Sequence, residues 1–211
     1  MDLHPPRQPI HTLKDFLLHL LTITVGLFIA LTLEAAVESL HHRHLVRDAR
    51  TNLDREIAAN HRQYAVNAQW IAENREQLGR DIVQLRDLRN GKKLDHPNLS
   101  WHWQWNSFSG IALRAARDSG AVSYMKPDLI SSYSLIYLQQ DYVNATALEI
   151  VNEESKAGAA LTAAGDPSNL TAVEIQTLLL KSAEIDLSFS TLQTTMKGLE
   201  NMYLEEPQQG R

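Results

Sequence analysis

A chain of 211 residues with a formal charge of −5 and no cysteine is long enough for one folded domain, and it excludes disulfides, thiolate catalysis and cysteine-ligated zinc or iron–sulfur sites. The charge is unevenly spread: residues 41–100 hold 11 lysines and arginines against 8 acids, and residues 101–211 hold 7 against 13. A basic first helix packed beside acidic later ones accounts for that split, and no basic patch is dense enough for a nucleic-acid surface.

His4-Pro5-Pro6 and Pro9 make residues 1–12 a flexible or extended leader, with Thr12 as a helix cap. Phe16–Leu33 then runs for eighteen residues without a formal charge, between Asp15 and Glu34. As a helix it is about 27 Å long, close to the hydrocarbon thickness of a bilayer. The run exceeds the core of a signal peptide, and no small-x-small cleavage site follows it, so a retained transmembrane helix over 13–40 is expected. Arg7 and Lys14 lie on one side, and Arg43, Arg47, Arg50 and Arg55 on the other, so the positive-inside rule discriminates little. The expected orientation is N-terminus inside and domain outside, with the reverse left open.

Nothing breaks the helical pattern before Asn90-Gly91, so one helix over 13–89 is expected. Its later half is patterned in heptads: Ile57, Tyr64, Ile71, Leu78 and Leu85 form one row, and Leu53, Asn60, Asn67, Asn74, Asp81 and Leu88 the other. This is a coiled-coil-type seam with three successive asparagines. The amides serve either as a polar channel or groove, or as a ladder that fixes register because each must find a partner; the ladder is favoured.

Gly91–Asn98 reads as a loop. Trp101, Trp103, Trp105 and Phe108 follow, then a short helix capped by Ser107 and stopped by Gly120. Pro127 opens a helix to about Leu161, on the rows Ile130/Tyr137/Asn144/Val151 and Tyr133/Gln140/Ala147. The last helix, 169–204, carries Ile175, Leu178, Ser182, Ile185, Phe189, Leu192, Met196, Leu199 and Tyr203, spaced by three and four. The fold expected is all-α: an N-terminal transmembrane helix continuous with the long helix of an antiparallel four-helix bundle. The later helices are each about 52–54 Å long against about 74 Å for residues 41–89. That mismatch leaves a basic juxtamembrane stalk over 41–53 below a bundle over 54–206.

Several residues invite chemistry. Thr22, Gly26 and Ala30 are four apart, the small-xxx-small spacing of closely packed membrane helices, and they continue a polar stripe from Asp15 and His19. They are the expected membrane-helix contact face; an ion path along the stripe is the lesser reading, and threonines bonded to their own helix the plain one. Glu38, His41 and His44 could hold a metal, since Glu38-x-x-His41 has di-iron spacing, but no second such motif occurs. A headgroup belt is favoured there, and no metal or other cofactor is expected. Trp101, Trp103 and Trp105 with Asn60 and Asn67 could line a ligand pocket, although such tryptophans more often plug the end of a bundle. No phosphate loop, Gly-x-Ser-x-Gly or His-Glu-x-x-His occurs, and Glu153-Glu154 and Glu205-Glu206 read as surface runs, so no enzyme activity is expected.

Leu21–Leu31 running into Glu34, Glu56-Ile57 followed by Asn60, Trp105 and Phe108 with Ser119-Gly120, and Tyr137-Leu138-Gln139-Gln140 together resemble an uncharacterised bacterial family, a domain of unknown function attached to one N-terminal span. The resemblance is weakest in the last helix. It implies a cytoplasmic N-terminus and an exported domain, through a leader more basic than the one here, and it brings no activity or catalytic residues.

The resulting expectation is a single-span protein of the bacterial inner membrane whose partners are the lipid bilayer and either further copies of itself or another membrane protein. The alternative is a periplasmic ligand-binding or sensory bundle. No second apolar run follows Leu33, so its signal would pass through a partner.

Overall fold

The computed structural model describes residues 12–95, 97–100 and 105–205. Among them the protein is all-α, with α1 (Leu13–Arg89), α2 (Ile111–Asp118), α3 (Pro127–Ala164) and α4 (Ala172–Glu205) packed antiparallel, and 3-10 turns at Ala121–Tyr124 and Pro167–Asn169. The chain forms two compact units, one ending at Asp48 and the other starting at Ala49.

The described part of the first unit is helical. Thr12 opens it as expected: its Oγ1 accepts from the Asp15 N–H at 3.3 Å and donates to the Asp15 carboxylate at 2.7 Å. This stretch is long and apolar enough to cross a membrane, and none of its apolar window is buried by protein. Its threonines turn their hydroxyls onto their own helix, Thr22 to the Leu18 carbonyl at 2.9 Å and Thr24 to that of Leu20 at 2.8 Å. A threonine so bonded carries no unsatisfied donor into an apolar medium.

In the second unit, the expected seam of α1 faces inward. Leu53, Ile57, Asn60, Asn67, Ile71, Leu78, Asp81 and Leu85 are buried. Tyr64 donates to Glu200 at 3.1 Å, and Arg75 meets Asp186 at 2.8 Å, so α4 descends as α1 ascends. On α4 the nine residues from Ile175 to Tyr203 expected to face inward are the nine that are buried. Its start, Ala172, is three residues later than the sequence suggested. Thr171 and Glu174 form a reciprocal capping box there: the Thr171 N–H donates to Glu174 at 2.7 Å, and the Glu174 N–H to the Thr171 hydroxyl at 3.3 Å.

The α3 register differs from expectation. Tyr133, Gln140 and Ala147 are buried, but their companion row is Ile136, Val143, Ile150 and Ala157, one residue away from the Ile130/Tyr137/Asn144/Val151 row. Of that expected row Tyr137 alone is buried; the others lie at the seam edge, where Asn144 reaches sideways to the connection.

Between α1 and α2 the chain folds back along α1. Gln84 holds Asn98, Asp81 holds Ser100, Asn67 holds Asn106 and Asn60 holds Ser109, in descending order. The second limb of the bundle is therefore this pinned connection followed by the eight-residue α2. Ser107 is not the cap of α2. Asn144 receives the Phe108 N–H at 3.0 Å and donates to its carbonyl at 3.0 Å, and Asn60 grips Ser109 on both sides, so helix begins only at Ile111. The cap comes from α1: Glu56 accepts from the Ile111 and Ala112 N–H groups at 3.1 and 2.9 Å. Gly120 stops α2 in the left-handed region, φ 75°, and Pro127 occupies the first turn of α3, both as expected.

Candidate functional site

The asparagine row is a ladder. The Asn60 amide donates to the Ser109 carbonyl at 2.8 Å and to Gln140 at 3.0 Å, and its oxygen accepts from the Ser109 N–H at 3.0 Å. Gln140 passes the network on to the Tyr203 hydroxyl at 3.0 Å. Asn67 donates to the Asn106 carbonyl and accepts from Gln63, whereas Asn74, half-buried, bonds back to its own helix at Trp70. Each of the three amides meets a partner.

Trp101 and Trp103 lie outside the described residues. Trp105 lies beside the middle of α3 rather than at a bundle end: its indole N–H donates to Asn144 at 3.2 Å, and its ring meets Phe108 edge-on at 5.8 Å. It lines a cleft of about 450 Å³ with Ser107, Asn144, Ala145, Leu148 and Val151; Asn60 and Asn67 are not part of it.

In the first unit, Glu38 faces His42 at 3.9 Å rather than His41, and His44 contacts Arg47 at 2.8 Å. Glu38, His41 and His44 are not brought together, and no metal-ligating group of three occurs among the described residues. Thr22, Gly26 and Ala30 share an uncovered face, with open space where a Gly26 side chain would stand.

The most unusual chemistry lies where the sequence suggested a surface run. Glu154 is 4 % exposed, because it continues the inward row Tyr133, Gln140 and Ala147 by one more heptad. Its neighbour Glu153 is the outward one, paired with Lys156 at 2.6 Å and with Lys181 of α4 at 3.3 Å. Asp81 of α1 and Ser182 of α4 are fully buried. Above them Leu85 packs with Ala157 and Leu178, and below them Arg75 pairs with Asp186. Asp81, Glu154 and Ser182 thus form one polar layer, with one residue from each long helix.

The layer is acidic and sparsely bonded. Asp81 accepts from the Gln77 amide at 2.8 Å and from the Ser100 N–H at 3.3 Å. Burial nevertheless pushes its carboxyl up to about 6, against the downward pull of those two donors and of Arg80. Glu154 is pushed up to about 7, first by burial and then by the negative charge of Asp81. Burial first, and the charge of Asp81 second, favour the protonated form of Glu154. The Glu154 Oε2 and Ser182 Oγ atoms are buried without a hydrogen-bond partner. A wide cleft of about 910 Å³ runs past this layer, lined by Leu99, Ser100, Glu154 and the small residues Ser155, Gly158 and Ala159 among others. With a proton on Glu154 the layer carries one negative charge instead of two.

Compared with protein-family models, curated proteins and solved structures, the chain matches none.

Proposed function

We propose that the protein is a membrane-anchored helical bundle of the bacterial inner membrane that acts through protein contacts, as a scaffold or accessory subunit that self-associates through its span. The observation that carries this reading is the apolar run of α1, which none of the described residues covers. Apolar surface on that scale needs lipid or another helix against it. Its threonine hydroxyls are already bonded within the helix, so Thr22, Gly26 and Ala30 offer a smooth, shallow face for close approach. The bundle stands outside the membrane in this reading, and no catalytic step is assigned to it. The test is the mass of the full-length protein in mild detergent: Gly26→Ile, which fills that face, lowers it from oligomer to monomer, and an unchanged mass overturns the reading.

A second reading, a ligand-binding bundle that signals through a partner, is favoured by the cleft beside Trp105, where an indole and the Asn144 amide border an apolar wall of Leu148 and Val151. A small-molecule mass that co-purifies with the protein and is lost in Asn144→Leu supports it; protein that never carries one contradicts it.

A further inference from the structure

We propose that the Asp81–Glu154 pair is a proton-operated switch: while Glu154 keeps its proton the buried layer carries a single negative charge and the far end of the bundle stays packed on the rest, and loss of that proton loosens that end. The geometry supplies a separable element. Beyond the polar layer, Leu85, Ala157, Leu170, Ile175 and Leu178 form an apolar cluster of their own. The acidic layer interrupts the packing below it, so this cluster opens by itself at lower cost than the whole bundle.

The charge balance around the pair sets the direction. From α1, Asp81 faces Gln77 and Arg80; from the connection it faces the Ser100 N–H; from α3 it faces Glu154; and α4 contributes Ser182, which is neutral. The other α4 charges at this level are engaged outward, Lys181 with Glu153 and Glu184, and Asp186 with Arg75. No lysine, arginine or histidine is buried among the described residues, so nothing inside offsets a second negative charge. When both carboxyls ionise, the repulsion is relieved by parting α3 from α1 and admitting water along the cleft that borders Leu99, Ser100 and Glu154.

The sign follows from linkage. Below pH 4.5, the usual value for a glutamate, Glu154 is protonated in open and closed forms alike and costs nothing. Between 4.5 and about 7 the open form gives up the proton and the closed form keeps it, so the closed form loses ground as pH rises. Above about 7 the loss is complete. Asp81 adds the same effect lower down, between 3.8 and about 6.

Amide exchange of the full-length protein in detergent, corrected for intrinsic rates, tests this at residues 157–164 and 175–178. Between pH 5.5 and 7.5 wild-type protection is expected to fall by at least about tenfold, and in Glu154→Gln, where Asp81 alone still titrates, by about fourfold or less. Asp81→Asn removes the lesser cause of the Glu154 shift and the titration of Asp81 itself, so it reduces the dependence below wild type without abolishing it, and it serves if the first variant fails to fold. Protection around Leu53 and Ile57, remote from the pair, stays level throughout. Equal pH dependence in wild type and the folded variant, or a loss spread evenly over the bundle, overturns the proposal.

Discussion

Glu56 occupies a position that a reading by hydrophobic period passes over, yet its carboxylate gathers the Ile111 and Ala112 N–H groups and the hydroxyls of Ser109 and Tyr137. A hydrogen bond to a charged group is worth about 1.5–3 kcal/mol, and here the donors share one carboxylate, so Glu56→Ala is expected to cost about 2–4 kcal/mol in urea unfolding. A cost under about 0.5 kcal/mol, the size of an ordinary surface substitution, contradicts that cap. Ser182 presents the opposite case. Its hydroxyl is buried without a partner, so deleting it removes a desolvated polar atom and little packing. Ser182→Ala is expected to leave stability unchanged or raise it by about 0.5–1 kcal/mol, where a serine bonded in the core would show a loss.

Among the elements, α4 and α3 show what a sequence discloses. On α4 the inward residues are nearly all large and apolar, so the three-four spacing has one solution and the structure agrees with it at every position. On α3 both Ile136/Val143/Ile150 and Ile130/Tyr137/Val151 offer apolar rows, and Leu135, Leu138 and Leu148 are large apolar residues that stay exposed, so period alone does not fix the register. Glu154 was hidden by that ambiguity and by its neighbour, since a glutamate pair reads as solvated. The companion Asp81 was visible on the α1 seam, so half of the acidic layer was legible and half was not. The Glu56 cap and the pinning of the connection depend on contacts between residues 14 to 56 apart in sequence, from Gln84 with Asn98 to Glu56 with Ala112, which no local pattern encodes. The capping box of α4 is local and could have been read from Thr171-x-x-Glu174. Thr171→Ala is expected to lower the unfolding free energy by about 1 kcal/mol and to speed amide exchange in the first turn of α4; unaltered exchange there contradicts the box.

For the whole molecule, the two units differ in whether their apolar surface is covered. The second buries its apolar seams against one another and bonds its buried amides Asn60, Asn67 and Gln140. The first leaves Phe16, Leu20, Ile23, Leu27, Ile29 and Leu33 exposed, on a helix long and apolar enough to cross a membrane. That contrast is what makes a membrane-anchored protein of contacts the central claim, with assembly assigned to the span and pH response to the bundle. Native mass spectrometry of the full-length protein, extracted from its own membrane without stripping partners, tests it most directly. A defined homo-oligomer that Gly26→Ile reduces to monomer is the result predicted; a bare monomer carrying a small-molecule mass contradicts it and points instead to the cleft beside Trp105.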